Sequence, residues 1–234
     1  MKKYDSVLGV ISGFRPGGYL EVGILNGETI FNVEAHLRVG VDVFPFPVGW
    51  VSEEGRRQFW YGLGFRQEMD YLKGDHTVIH NMSSDEYFGR ILSNNTGVRF
   101  DVVFIDGGHD YGQAMKDIDN GLKSLAPGGF LVAHDVNPLT EIASTTFMGD
   151  FKKKVVEAGL VDGVDASWNG DVWKCLVELG ERGYEYYSVD LVHGLAVVPY
   201  QSVKPKLTKQ REAEISVLGF EYFDKNREKI LRLK

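Results

Sequence analysis

Two groups of residues in this chain have types and spacings that can do chemistry. The first is Glu21-Val22-Gly23-Ile24-Leu25-Asn26-Gly27, followed about twenty residues after its start by Asp42. One glycine lets the chain turn sharply off a strand end, and the other lets the backbone approach a ligand closely. The loop is expected to open a helix, whose first amides favour a carboxylate or phosphate. Asp42 stands where a carboxylate can accept hydrogen bonds from both hydroxyls of a ribose. The competing structural readings are an ordinary strand-to-helix turn for the loop and a turn residue or cap for Asp42. The second group is Asp106, His109, Asp110, His134 and Asp135. A histidine oriented by a neighbouring carboxylate can act as a general base. Paired carboxylates can instead hold a hard divalent ion. A G-x-G-x-x-G fingerprint and a G-x-x-x-x-G-K-[ST] loop are both missing, which argues against a dinucleotide site and a P-loop.

The elements that must position these residues can be read from apolar runs. Tyr19–Ile24, Leu37–Asp42, Thr77–His80, Phe100–Asp106 and Gly129–His134 are short, rich in Val and Ile, and separated by helical patterns. That pattern predicts a parallel sheet buried on both faces. Between the fourth and fifth runs, Tyr111, Ala114, Met115, Ile118, Leu122 and Leu125 keep one helix face, and Pro127-Gly128-Gly129 then turns the chain into a strand. Tyr184–Leu191 and Leu195–Tyr200, linked through Val192-His193-Gly194, predict an antiparallel hairpin. A helical pattern over about residues 210–233 closes the sequence, with Gly219 as its break or kink. In such sheets ligands bind beyond the carboxyl ends of the strands, so both groups of residues are expected to line one cleft.

Composition bounds the remaining possibilities. The sequence has 234 residues, 43% hydrophobic and 25% charged, which fits a globular α/β domain. The 28 glycines with only 7 prolines point to turns and close approaches rather than low complexity. A net charge of −7 and only short basic clusters, Lys152–Lys154 and Lys204–Arg211, argue against a nucleic-acid partner. One cysteine, Cys175, excludes an intramolecular disulfide and reads as a small buried hydrophobe. No run reaches the ~20 apolar residues of a membrane span, and the start MKKYDSVLGVISGF is too short and polar for a signal peptide. A cytoplasmic location is expected.

Residues 17–43 and 100–137 resemble a class I S-adenosylmethionine-dependent methyltransferase. The resemblance is to the bacterial group with an I-D-G-x-H-x-Y signature, here Ile105-Asp106-Gly107-Gly108-His109-Asp110-Tyr111, and an L-x-P-G-G-x link, here Leu125 to Phe130. It covers about residues 15–200. It implies a Rossmann-like α/β fold: a seven-stranded, mostly parallel sheet with an antiparallel last strand and helices on both faces. It implies a single domain over residues 1–234, with insertions at about 43–76 and 136–170. By matching positions, Glu21, Gly23, Gly27 and Asp106 would serve the cofactor, Asp42 its ribose, and Met82 and Ser83 its adenine. Ser83 or Ser84 as a plain helix cap is the alternative.

The expected reaction is O-methylation of a small molecule or sugar. Two mechanisms fit: His109 or His134 as base beside Asp106, or Mg²⁺ held by Asp106 and Asp135. Related metal-dependent enzymes carry a further polar ligand directly after the fifth-strand acid, where this sequence has Val136. The rival class is a non-catalytic cofactor-binding protein on the same fold. Asp171 reads as a cap of the helix Val172–Gly180, while Trp168 and Trp173 could stack on a sugar or shield the site. The aromatic insertion, Phe44 to Phe65, reads as acceptor pocket or homo-oligomer contact, and His36, His76, His80 and His193 as structural.

Overall fold

The computed structural model of the chain describes residues 5–14, 16–25, 27–43, 76–93, 97–161, 166–191 and 193–233. The aromatic insertion, from Phe44 to Phe65, lies outside them. Among the described residues, seven strands form one sheet: β1 (Gly18–Val22), β2 (Leu37–Asp42), β3 (His76–Asn81), β4 (Phe100–Ile105), β5 (Leu125–His134), β6 (Tyr187–Val189) and β7 (Leu195–Pro199). Their order is β3-β2-β1-β4-β5-β7-β6. β1 pairs in parallel with β2 and β4, β2 pairs in parallel with β3, and β6 and β7 pair antiparallel. This is the Rossmann-like sheet with an antiparallel last strand that the sequence implies.

The sheet forms because its strands are apolar on both faces. In β4, Phe100, Val102, Val103, Phe104 and Ile105 are all buried, so no solvent face exists to reward alternation. The strand order reverses between β1 and β4. In open sheets ligands bind outside the carboxyl ends of the strands at such a reversal, which is where Gly23 and Asp106 stand.

The helices among the described residues are α1 (Asp5–Gly13), α2 (Ser84–Ser93), α3 (Tyr111–Ser124), α4 (Met148–Glu157), α5 (Trp173–Glu181), α6 (Lys209–Ser216) and α7 (Phe220–Leu231). The expected face of α3 is buried from Tyr111 to Leu122, and Leu125 has passed into β5. Gly219 does break the C-terminal helix, standing as the residue that opens α7. None of the helices among the described residues is long and apolar enough to cross a membrane. The contacts group the chain into two compact units, Met1–Gly107 with Asp117–Val132, and Gly108–Lys116 with Ala133–Lys234.

Two expectations are corrected. The glycine loop does not open a regular helix. Residues 27–35 form successive turns, with Phe31 N–H donating to Gly27 O and Val33 N–H to Thr29 O. Thr29, Ile30, Asn32 and Val33 are weak helix formers, three of them β-branched, which accounts for turns in place of a longer helix. The strand read over Tyr184–Leu191 is shortened to β6. Glu185 instead pairs with the side-chain amide of Gln201, which accepts from its N–H and donates to its carbonyl.

Gly23 has a local reason to be glycine. Its φ is 85°, and a Cβ there would lie 2.1 Å from the Asp106 carbonyl oxygen. Gly23→Ala is expected to cost about 4 kcal/mol or more in urea unfolding, because strain and backbone overlap act together. Gly9→Ala, on a helix with nothing near its added Cβ, is the control and should stabilise by up to about 1 kcal/mol.

Candidate active site

In the first unit the candidate residues gather at the ends of β1, β2 and β4. Asp42 Oδ2 accepts from the backbone amides of Ile24 and Leu25, both at 2.9 Å. The loop therefore already presents two N–H groups to a carboxylate oxygen. Leu25 adopts a left-handed φ of 41° and Gly27 one of 78°, so the loop is bent tightly around that oxygen. Glu21 is buried and accepts from the Tyr19 hydroxyl at 2.7 Å. Burial pushes its carboxyl well above the usual range; the Tyr19 bond opposes this, and the nearby Asp106 and Asp42 charges add to it. Asp106, half-buried, follows β4, with its N–H donating to Val22 O at 2.8 Å. Met82 N–H donates to Asp42 O at 3.0 Å, which ties the turn after β3 to the end of β2. The Ser83 hydroxyl accepts from Glu86 N–H at 3.2 Å, so it caps α2, as the alternative reading had it. A bent loop with converging amides, glycine at two positive-φ positions and a carboxylate at the next strand end suit a nucleoside carrying an amino-acid tail.

In the second unit a buried carboxylate organises the histidines. Asp135 follows β5 and is 4% exposed. Its Oδ2 lies 3.2 Å from His109 Nε2 and 3.3 Å from His134 Nδ1. Its Oδ1 accepts from Asn169 Nδ2 at 3.0 Å and lies 3.9 Å from His193 Nδ1. Burial alone would raise this carboxyl; the surrounding His134, His109 and His193 outweigh it and hold the group well below the usual carboxylate range. Asp135 itself has a left-handed φ of 62°, uncommon for a residue other than glycine.

His109 is fixed from three sides. Its ring stacks on Trp168, with centroids 4.3 Å apart. Its carbonyl accepts from Asp171 N–H at 3.0 Å. A Cβ on Gly170 would sit 2.1 Å from that carbonyl oxygen, so glycine is what lets the two segments touch. Asp171 does not cap its own helix. Its Oδ1 accepts from Tyr111 N–H at 2.8 Å, at the start of α3, and its Oδ2 accepts from Lys174 Nζ at 2.8 Å. Asp110 Oδ1 accepts from Gln113 N–H at 2.9 Å in the same first turn. Two carboxylates thus hold the helix start that carries His109.

Sequence reading missed His193 and Asn169. Neither sits in a motif, and only the fold brings them to Asp135. Trp168 shields His109, whereas Trp173 is a core residue packed 5.0 Å from the Phe223 ring. Cys175 is buried, as expected. Asp106 and Asp135 follow neighbouring strands and belong to different units.

The low Asp135 value fixes a sign. Its charged form contributes stability that is present above the unfolded value near ~4 and is lost as pH falls through the lower folded value. Asp135→Asn should therefore be less stable than the parent by about 3 kcal/mol at pH 7. Urea unfolding should show that gap persisting down to about pH 4 and closing only below it. A gap that vanishes between about pH 7 and 5 contradicts the assignment.

Residues 20–136, half of the chain, match the family model of a methyltransferase domain. No curated protein matches the chain. Among solved structures, the N-methyltransferase NodS from Bradyrhizobium japonicum WM9 is similar at 17% identity, covering 84% of this chain and 94% of that one, with a TM-score of 0.46. The O-methyltransferase from Bacillus cereus in complex with SAH is similar at 13% identity, over 84% and 79%, with a TM-score of 0.48. The SAH-bound Podospora anserina methyltransferase PaMTH1 is similar at 13% identity, over 84% and 77%, with a TM-score of 0.47. With the sheet, the glycine loop and the family match together, the chain belongs to the S-adenosylmethionine-dependent methyltransferases.

Proposed function

We propose that this methyltransferase acts on a hydroxyl oxygen of a small molecule or sugar, with His109 as general base and Asp135 as the group that orients it. The observation that carries the reading is the buried contact of His109 Nε2 with Asp135 Oδ2 at 3.2 Å. The imidazole donates its Nε2–H to the carboxylate, which leaves the lone pair on Nδ1 to receive a proton. Asp135 also stabilises the imidazolium that forms, because it stays charged. Trp168 against the ring keeps it in one orientation.

When bound, S-adenosylmethionine supplies an electrophilic methyl on a sulfonium. The first unit would hold it: Gly23 and Gly27 beside the methionine part, Asp42 on the ribose, Met82 at the adenine, with Glu21 and Asp106 beneath the loop. The Ser83 hydroxyl is already used by α2, so Ser83 would contribute backbone only. His134, whose Nδ1 faces the same Asp135 oxygen, is the second candidate base. An open cleft of about 430 Å³, walled by Thr146, Phe147, Asp171 and Phe220, lies in the second unit. Its wall residue Asp171 is bonded directly to the His109 carbonyl.

Mg²⁺ at Asp106 and Asp135 is the weaker reading. Asp135 already takes an N–H from Asn169, and two imidazole nitrogens stand at its other oxygen, so its charge is compensated by the protein itself.

Calorimetry with S-adenosylhomocysteine should show binding at millimolar concentration or tighter, and Asp42→Ala should weaken it about tenfold or more. No binding would contradict the proposal. His109→Gln should keep cofactor affinity while methyl transfer to hydroxylated acceptors falls by about 10²–10⁴-fold. Activity unchanged by that substitution, or abolished by EDTA and restored by Mg²⁺, would move the chemistry away from His109.

A further inference from the structure

Asn169 is 2% exposed, and its side-chain amide is held on both ends. Nδ2 donates to Asp135 Oδ1 at 3.0 Å and to the His193 carbonyl at 3.4 Å. Oδ1 faces His193 Nδ1 at 3.4 Å. The amide has one sensible orientation. Turned over, its oxygen would oppose a carboxylate and a carbonyl, while its NH₂ faced the imidazole. With Oδ1 as acceptor, His193 Nδ1 must carry the hydrogen.

We infer that Asn169 is a positioning residue of the proposed active site, orienting the Asp135 carboxylate and locking His193 as the Nδ1–H tautomer with its lone pair on Nε2. The inference rests on the methyl-transfer reading for its purpose, but not for its geometry.

The surrounding backbone is consistent with a built arrangement. His193 has a left-handed φ of 69°, beside the 62° of Asp135. Non-glycine residues in this region are strained and persist where neighbours over-determine them. Here Asn137 N–H donates to the His193 carbonyl at 2.8 Å, the same oxygen that Asn169 reaches. Arg227, from α7, donates to Asn137 Oδ1 and to Pro138 O. A Cβ on Gly194 would lie 2.5 Å from Asn137 Cβ, so the strand approach is close. The His134 ring stands edge-on to His193, with centroids 5.7 Å apart. Three imidazoles thus surround one carboxylate. Asp135 sets the protonated nitrogen of His109 and His134, and Asn169 sets that of His193.

The test is the tautomer itself. The full chain, labelled with ¹⁵N-histidine, is studied by two-bond ¹⁵N–¹H correlation at a pH where imidazoles are neutral, and His193→Gln assigns the signal. The parent should show His193 as Nδ1–H, although free imidazole side chains favour Nε2–H. In Asn169→Ala the signal should move to Nε2–H or to an average, while S-adenosylhomocysteine affinity stays unchanged by calorimetry. On the methyl-transfer reading, transfer should also fall about tenfold or more, as expected when an imidazole loses its set tautomer. A parent signal of the Nε2–H form overturns the inference, and so does an Asn169→Ala signal that keeps Nδ1–H. The parent spectrum decides even if the variant fails to fold. A tautomer that responds as expected in a protein that binds no S-adenosylhomocysteine would sink the functional reading and leave this inference standing.

Discussion

A carboxylate sealed away from water is the constraint on which the second unit depends. Burying Asp135 uncompensated would cost several kcal/mol, and the group would give up its charge. It keeps the charge because N–H groups face it from three segments of the chain: the loop before α3, the end of β5 and the loop before α5. Every one of these segments must arrive for the carboxylate to be satisfied. The polar centre therefore specifies how the segments meet, and the apolar strands alone would not.

The same logic sets His109. Its backbone is gripped by Asp171 and by the close approach of Gly170, and its ring by Trp168 and Asp135. Asp171 spends its carboxylate on the first amide of α3 and on Lys174, so one side chain joins two helix starts. If His109 is the base, as proposed, a side chain held this way loses little freedom when it acts, which is where positioned general bases gain their advantage. In the first unit the corresponding device is Asp42, whose carboxylate gathers the amides of the glycine loop.

Much of this could be read in the residues. Runs of Val, Ile and Phe marked the strands, because a sheet covered on both faces needs them. Gly219 marked the helix break, and the hairpin at Gly194 marked the antiparallel end. Asp106, His109, His134 and Asp135 were visible because they cluster at the carboxyl ends of two strand-like runs. What stayed hidden depends on distance along the chain. Asp171 looks like a cap for the helix that follows it, yet its partner Tyr111 lies 60 residues earlier. Asn169 and His193 reach Asp135 only because β5, β7 and the loop before α5 converge, and no local pattern encodes that. The loop after β1 carried the right glycines, but its β-branched residues settle for turns.

The central claim is that the glycine loop and Asp42 hold S-adenosylmethionine. A crystal structure of the chain with S-adenosylhomocysteine tests it most directly. The account predicts the ribose hydroxyls on the Asp42 carboxylate and the amino-acid tail along Gly23–Gly27. A cofactor bound away from Asp42 and the glycine loop would contradict it.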